Sequence, residues 1–366
     1  MATLPLRDAF TARALGVAWN NYKENLGLPP YLGRSFFGTK KQSGLDLRYI
    51  KGSKGLPVAL KASAFDAQAP LREGIGFSDI QNEMPFYRES YMVTEREEQD
   101  YATYLNSVDT VGANQVLSEI MKNPLGLVQG ANVIPERQIW QLMAPADGIP
   151  RIKVMIDGKE PYYVDYTSDN GDSYKATNYK EIRTNADKWS APDTATPIQD
   201  LLDAKKQHRT NTGEVLSTFI MNDNTWNLFC NAEDTKKQVA GVVAYQNGQM
   251  VTESMVKAYM QQQHQIEILV YSGMYQAEDG QSYTFIPDYV VSAVPSNIVT
   301  LGDVMYGTTP EERSGSLTDG SLSIIDTGVA VYTYQTNHPI NTHCVVSEIV
   351  LPSYERMDSV FVMKVA

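Results

Sequence analysis

The sequence has few of the residues on which most catalytic and metal sites depend. Among 366 residues there are two cysteines and four histidines. Cys230 and Cys344 are far apart along the chain, and two such cysteines fit a reducing compartment and no disulfide framework. No P-loop, GxSxG, HExxH or paired CxxC motif occurs. We therefore expect no cofactor and no enzymatic activity. An enzyme built from carboxylates that only the fold brings together remains the alternative from a different class.

Long apolar runs and an excess of basic charge are also missing. No stretch approaches the roughly 18 apolar residues that a membrane helix needs, and the N-terminal MATLPLRDAFTARAL lacks the apolar centre of a signal peptide. The formal net charge is −12, and an acidic chain is repelled by nucleic acid and by anionic membranes. These features predict a soluble protein made in a cytoplasm, with no membrane partner.

One group of residues has the chemistry of metal ligands. His338, His343 and Cys344 lie close together in the sequence, and thiolate and imidazole are zinc ligands. A structural zinc site takes four ligands, and no fourth is evident nearby. We therefore expect no metal here, and we interpret both cysteines as small buried apolar residues.

The chain nevertheless contains enough apolar residues for a substantial core. Hydrophobic residues make up 42% of the sequence, and a chain of this length forms two or three compact units. Helical patterns alternate with strand patterns, which indicates an α+β fold. Thr94 and Glu97 have capping-box spacing at the start of one helix. Another helical pattern runs from about Leu125 to Met143 and is interrupted by Pro135.

Further elements follow in the second half of the chain. Residues 150–167 predict a β-hairpin around the turn Asp157-Gly158, and the polar residues 168–195 predict a loop. A helix at 196–211 is expected to have Thr196 as its cap and Pro197 at its first position. A Gly- and Ser-rich stretch at 300–328 predicts a long exposed connection.

A basic, extended segment stands out near the N-terminus. The alternation from Leu45 to Ile50, the turn signal Gly52-Ser53-Lys54-Gly55 and the alternation from Val58 to Lys61 predict a β-hairpin. A lone hairpin buries too little apolar surface to be stable by itself, so it must lie on another part of the chain or on a neighbouring copy. Its cations on this acidic chain suggest an assembly device: Lys40, Lys41, Arg48, Lys51, Lys54 and Lys61.

The same segment carries a resemblance to a known family. The run from Leu45 to Asp66, followed by Pro85-Phe86-Tyr87-Arg88-Glu89, resembles the projecting loop and the P-F-x-R-E segment of lambda-type major capsid proteins of tailed phages (major capsid protein E). Further stretches resemble that family in the same order: Trp140–Asp165, Pro197–Arg209, Tyr306–Glu312 and the C-terminal NHPINTHCVVSEIVLPSYERMDSVFVMKV. Several ordered matches are more specific than any one of them.

The resemblance implies an α+β fold of the Hong Kong 97 type. It implies an N-terminal arm at 1–37, an extended β-hairpin loop at 38–93, a peripheral domain with a long spine helix at 94–211 and 326–366, and an axial domain at 212–325. Gly126, Gly130 and Pro135 fall within the expected spine helix and predict that it is kinked or shortened.

The resemblance also implies a function. The chain is expected to be the structural major capsid protein of a tailed bacteriophage, which self-assembles into the hexamers and pentamers of an icosahedral shell that encloses packaged double-stranded DNA. The alternative within the same fold is the shell protein of an encapsulin-like bacterial compartment. The protein is then expected in the virion, after assembly in the cytoplasm of the bacterial host.

The resemblance implies partners as well. These are further copies of the chain, a portal protein, a scaffolding protein or maturation protease, and a decoration protein as a further candidate. DNA is enclosed without sequence-specific binding. For the contact between copies, we hypothesise that the basic loop from Lys40 to Lys61 docks on an acidic helix start of a neighbour, formed by Glu95, Glu97, Glu98 and Asp100.

Overall fold

The computed structural model describes residues 10–26, 31–52, 77–106, 110–156, 160–296, 300–313 and 320–366. No helix in these ranges is both long enough and apolar enough to cross a bilayer. The chain divides into two compact units. The first combines Met1–Leu47, Gln81–Arg137 and Asp303–Ser353, and the second combines Arg48–Ile80, Gln138–Gly302 and Tyr354–Ala366. The expected limits of arm, loop, peripheral domain and axial domain stay a prediction, because a division into two units does not test a division into four parts.

The helices are distributed along the whole chain. They are α1 Ala12–Leu26, α2 Glu95–Asn106, α3 Thr110–Met143, α4 Asp172–Asn178, α5 Pro197–Thr212, α6 Asp223–Asn231, α7 Glu233–Ala240, α8 Val242–Gln246, α9 Glu253–His264 and α10 Pro310–Arg313. Short 3-10 turns occur at Gly33–Phe36 and Met357–Ser359.

The strands are mostly short. They are β1 Phe37–Lys41, β2 Asp46–Gly52, β3 Phe77–Glu83, β4 Phe86–Val93, β5 Arg151–Val154, β6 Tyr162–Asp165, β7 Tyr179–Glu181, β8 Leu216–Met221, β9 Glu267–Val270, β10 Met274–Gln276, β11 Ser282–Thr284, β12 Val290–Pro295, β13 Gly302–Tyr306, β14 Gly320–Ile325, β15 Val329–Asn337, β16 Ile340–Pro352 and β17 Phe361–Lys364.

The first unit is built on a sheet in the order β1-β13-β16-β15-β14, with β4 also paired to β16, and β16 is antiparallel to β4, β13 and β15. β16 is 13 residues long, so different parts of it pair with β4, β15 and β13. Successive side chains point to opposite faces of a strand. One face packs against α1, α2 and α3 in a core that includes Phe10, Leu15, Trp19, Tyr101, Val128, Ile325, Val331 and Val346.

The second unit contains a sheet in the order β7-β17-β12-β8-β9. Every residue of the central strand β12 is buried, as expected of a strand covered on both faces. The core around this sheet draws on helices and on a connecting segment, and it includes Trp189, Leu201, Phe219, Trp226, Phe229, Met260, Val291 and Phe361. The pairs β5–β6 and β10–β11 form separate two-stranded sheets.

Several predicted elements are confirmed, because their local signals are strong. The capping box at α2 is present: Glu97 Oε2 accepts from the Thr94 amide at 2.8 Å, and the Glu97 amide donates to Thr94 Oγ1 at 3.4 Å. Pro197 starts α5 as expected. Thr196 occupies the N-cap position as predicted, but its side chain makes no capping hydrogen bond.

The long helix α3 differs from the prediction. It starts at Thr110 instead of near Leu125, and it continues through Pro124 and Pro135. A proline inside a helix costs about 3 kcal/mol, through one lost hydrogen bond and a steric clash. Burial of the helix side chains offsets that cost, and Val128, Ile139 and Trp140 are almost completely buried.

Two segments predicted as loops contain structure. The stretch 300–328 is not a long exposed connection, because it contains β13, α10 and β14. α10 begins with a second capping box that the prediction missed, in which Glu312 Oε2 accepts from the Thr309 amide at 3.3 Å. Residues 168–195 likewise contain α4, β7 and the fully buried Trp189. Because most residues of this stretch are polar, the sequence pattern did not reveal the short elements α4 and β7.

Part of the basic loop is described. β2 pairs with β3 in a two-stranded sheet. The predicted turn after Gly52 and the return strand at Val58–Leu60 lie outside the described residues, as does the turn Asp157-Gly158 of the second hairpin.

Candidate assembly surfaces

The sheet of the first unit has a second face, opposite its helices, that is largely apolar. We call it the open sheet face. It is formed by alternate residues of β4, β14, β15 and β16, namely Phe86, Arg88, Ser90, Met92, Leu322, Ile324, Ala330, Tyr332, Tyr334, His343 and Val345. One row across four strands is Leu322, Tyr332, Val345 and Ser90, each directly opposite the next.

The open sheet face exposes large side chains to solvent. Leu322, Ile324 and Met92 keep 38%, 39% and 42% of their surface exposed. Tyr332 stacks on Tyr334 at 5.6 Å, and Tyr334 stacks on His343 at 4.8 Å. An antiparallel sheet normally turns polar residues toward water. A contiguous apolar patch on a folded unit therefore marks an interaction surface.

One end of the open sheet face is closed by α10. Glu311, in this helix, accepts a hydrogen bond from Ser347 Oγ at 2.8 Å and lies 3.4 Å from Arg88 Nη1. Both partners lie on the open sheet face, so the helix is fixed to the strands by charge-assisted contacts. The apolar surface therefore ends at α10 on this side.

Gly307 lies in the connection between β13 and α10 and allows this connection to run close to the sheet. Its amide donates to the carbonyl of Ile349 at 2.8 Å, and a Cβ at this position would lie 2.7 Å from Ile349 Cγ2. We expect Gly307→Ala to destabilise the chain by about 1–3 kcal/mol, as overpacking does. Chemical denaturation measures the loss. Gly130→Ala is the matched control, because a Cβ there meets nothing within 4 Å and alanine favours a helix. Equal stability of the two variants would contradict the account.

The predicted basic residues have different surroundings. Lys40 pairs with Asp303 at 2.6 Å, and Lys41 pairs with Glu312, so both contact acidic groups of their own unit. Arg48 is exposed on β2. Lys51 lies in β2, and its side chain is outside the described residues, as are Lys54 and Lys61. Exposed ion pairs contribute little stability, typically below about 1 kcal/mol, so the pairs at Lys40 and Lys41 add little to the stability of the unit.

The predicted acidic residues lie together at the start of α2. Glu95 Oε1 accepts from the Ile340 amide at 2.7 Å, and Glu97 is held in the capping box. Burial opposes ionisation of Glu97, but hydrogen bonds from Thr94 and Tyr91 outweigh it and lower the pKa of Glu97. Glu98 is half-buried and Asp100 is exposed. The cluster therefore consists of Glu95 and Glu97, which have partners within the unit, and of two further carboxylates, Glu98 and Asp100.

The candidate zinc ligands are not arranged as a site. His343 and Cys344 are consecutive on β16, so their side chains point to opposite faces. Cys344 is completely buried, and burial raises the pKa of its thiol to about 12, which confirms that it is a buried apolar residue. In the described part of the chain, no cluster of His, Cys, Asp or Glu is placed to hold a metal.

An open groove of about 640 Å³ lies in the second unit. Aromatic rings follow one another from the buried Trp140 through Tyr271, Phe285, Tyr275 and Tyr283, and all of these except Tyr271 line the groove. Arg151, on its rim, pairs with Asp147 at 2.6 Å. No histidine or cysteine is among the residues that line the groove.

Comparison with known proteins identifies the family. The model of the family described as phage major capsid protein E matches residues 11–365. A prophage protein of Escherichia coli CFT073 that has been proposed to be a capsid protein is 13% identical, with 98% of this chain and 99% of that chain covered and a TM-score of 0.56. A phage-related protein from Bordetella bronchiseptica RB50 is 14% identical, with 97% of each chain covered and a TM-score of 0.53.

A search of curated proteins found no match. At such low identity the structural similarities show a shared fold, which is α+β and of the Hong Kong 97 capsid type. The family match goes further, because it covers nearly every residue. The chain belongs to the phage major capsid protein E family.

Proposed function

We propose that this chain is the main building block of a tailed-phage head, in which hexamers and pentamers close an icosahedral shell around packaged double-stranded DNA. Family membership makes it a structural component of the virion that assembles into a multimeric shell. The observation that carries the proposal is the open sheet face, which leaves apolar side chains of four neighbouring strands uncovered.

Burial of the open sheet face against a neighbouring copy would supply the driving force for assembly. Apolar surface contributes roughly 25 cal/mol per Å² removed from water. Each contact can be modest, because a closed symmetric shell engages every copy with several neighbours at once. Tyr332, Tyr334 and His343 form a stacked, rigid centre for such a contact.

The basic loop would supply a second contact. The cations of this proposal are Arg48, Lys51, Lys54 and Lys61, since Lys40 and Lys41 have partners in their own unit. Glu98 and Asp100 of a neighbour are the carboxylates best placed to receive them, beside Glu95 and Glu97. Charge complementarity of this kind sets register and association rate more than affinity.

Reversing the loop charge tests this contact. We expect Lys51→Glu, Lys54→Glu and Lys61→Glu together to impair shell formation while the subunit still folds, because like charges then meet across the contact. Circular dichroism checks the fold, and sedimentation measures shell yield. Reversal of the exposed Arg183, Lys206 and Arg209 is the control with the same change in net charge. Normal shells from the loop variant exclude the contact.

The remaining partners belong to the same proposal. A shell that fills with DNA needs a portal protein, and its closure needs a scaffolding protein or a maturation protease; a decoration protein is a further candidate. The net charge of −12 suits an inner wall that does not grip the packaged DNA. Assembly would take place in the host cytoplasm, and the chain would have no catalytic role.

The experiment that tests the function is sedimentation velocity with negative-stain imaging of the purified chain, alone and with scaffold. Shells, tubes or capsomer rings support the proposal. A chain that stays monomeric at high concentration and with scaffold overturns it. Closed shells that form without any phage helper and hold no DNA would favour a compartment protein instead.

A further inference from the structure

Tyr289, directly before β12, has a backbone conformation that does not suit its side chain. Its φ angle is +65°, in the left-handed region where a Cβ atom crowds the backbone and a bulky residue is an outlier. The other non-glycine residues with positive φ in the described ranges are Asn170, Gln265 and Asp326. Short polar side chains such as those of asparagine and aspartate tolerate this region, whereas a tyrosine there is strained.

Hydrogen bonds on both sides fix this conformation. The Tyr289 amide donates to Thr225 Oγ1 at 2.9 Å, and the Tyr289 carbonyl accepts from the Val365 amide at 2.8 Å. The Thr225 hydroxyl donates to Asn222 Oδ1 at 2.7 Å, and both of these residues are almost completely buried. The turn at residue 289 is therefore set by backbone and buried side-chain contacts, and not by the tyrosine ring.

The residue before Tyr289 is held as well. Asp288 Oδ1 accepts from Asn224 Nδ2 at 3.1 Å and from Asn222 Nδ2. Asn222 Nδ2 also donates to the carbonyl of Ile286 at 3.2 Å. Tyr289 thus stands on a rigid support, which is what a precisely placed contact residue needs.

The side chain of Tyr289 gives its own subunit little in return for the strain. The residue keeps 43% of its surface exposed. Within the described ranges, its hydroxyl makes no hydrogen bond and its ring stacks on no other ring. Glycine or asparagine would adopt the same backbone conformation at lower cost. A contact outside the subunit explains why a tyrosine occupies this position, because strained residues cluster at functional positions.

Tyr289 adjoins a surface with further exposed apolar side chains. Pro287 and Asp288, the two residues before it, line the groove of the second unit. The large lining residues that keep 44% or more of their surface exposed are Tyr163, Tyr283 and Met274. Large apolar side chains that are exposed close together mark an interaction surface, and tyrosine is among the residues that contribute most at protein interfaces.

Another copy of this chain is the partner that fits. In a closed shell each subunit has several neighbouring copies, so the choice of partner rests on the proposed function. The carboxylate of Asp288, next to Tyr289 in the chain, is exposed. A lysine or arginine side chain can bind a carboxylate and the face of a tyrosine ring together. The contact therefore suits a basic residue of the neighbouring copy.

We propose that Tyr289 is an anchor residue of a contact between copies of this chain. The strained turn holds the ring out of its own subunit, and the ring packs against a basic side chain of the neighbouring copy. The subunit is less stable than it could be in exchange for this contact, as functional sites often are. Relief of the strain is then expected to weaken assembly without weakening the fold, which separates an anchor from a merely structural residue.

Tyr289→Asn and Tyr289→Gly in the full-length chain test this separation. We expect the urea midpoint of both variants to lie at or above that of the native chain, because both residues accept a positive φ. We expect association between subunits to weaken at least about tenfold, as when an interface tyrosine is removed. Sedimentation velocity of the chain, alone and with scaffold, measures association.

Two controls accompany these variants. Tyr289→Phe keeps the ring and should retain most of the assembly. Gln265→Gly relieves a positive φ at another exposed residue, so it should raise the urea midpoint and leave assembly unchanged.

The more stable of the Tyr289→Asn and Tyr289→Gly variants decides the outcome. Weaker assembly with an equal or higher midpoint supports the inference. Assembly equal to that of the native chain overturns it and leaves the proposed function standing, and so does a loss of association that occurs only with scaffold. A lower midpoint overturns it as well, because the ring would then stabilise its own subunit. A native chain that never assembles overturns the proposed function and this inference with it.

Discussion

Subunits in which Leu322 and Tyr332 are both replaced by aspartate are expected to fold but not to build shells. The two residues are directly opposite each other on the open sheet face, and in the assembled shell they would bring unpaired carboxylates into an apolar contact. Such a change costs about 2–5 kcal/mol per contact, which lowers each association constant by at least roughly 30-fold. Sedimentation velocity measures the loss, and circular dichroism verifies the fold.

The control for this double variant adds the same charge elsewhere. Thr103 on α2 and Thr210 on α5 are exposed, so Thr103→Asp with Thr210→Asp matches the net charge without touching the open sheet face. Normal assembly of the control and none of the Leu322/Tyr332 variant locates the contact. Shells from the Leu322/Tyr332 variant in normal yield would show that this face carries no subunit contact.

Replacement of Trp189 by alanine is expected to unfold much of the second unit at moderate temperature. Trp189 is completely buried, packs edge-on against Phe229 at 5.4 Å and donates its Nε1 hydrogen to Asp200 Oδ2 at 3.0 Å. Loss of a buried tryptophan costs about 3–5 kcal/mol. The partly buried Asp200 would also lose its hydrogen-bond donor. Burial raises the pKa of the Asp200 carboxyl group, and the hydrogen bond from Trp189 opposes that shift.

The variant Trp189→Phe separates the contribution of apolar packing from that of the hydrogen bond to Asp200. Phenylalanine keeps most of the apolar contact but cannot donate to Asp200, so we expect a loss about half that of the alanine variant. Urea denaturation, monitored by fluorescence and by circular dichroism, measures both. A Trp189→Ala chain as stable as the native one would mean that the second unit does not depend on this side chain.

The local signals in the sequence predicted local structure well. Thr94 and Glu97 are three residues apart, and that spacing alone is enough to form the capping box that the structure shows. The polar stretch 168–195 was wrongly predicted to be a loop, because a single large residue, the buried Trp189, provides its packing. Prolines misled the prediction at α3, because burial of the helix outweighs the lost hydrogen bonds.

The functional surfaces were harder to predict, since they depend on register between distant strands. Leu322, Tyr332 and Val345 form one row only after β14, β15 and β16 are paired, and the sequence around Leu322 indicated an exposed connection. Arg34 and Glu136 are about a hundred residues apart in the sequence and are joined by a hydrogen bond in the structure, and no local sequence pattern predicts that contact. By contrast, the resemblance to the capsid family rested on ordered motifs and is confirmed by the family match.

A cryo-electron microscopy map of the assembled protein tests the central claim most directly. It shows whether copies of this chain close a shell and what covers the open sheet face. We predict a closed icosahedral shell in which Leu322, Tyr332 and Val345 of each subunit are buried by a neighbouring copy. A shell in which this face is bare to solvent, or is covered only by its own chain, would contradict it.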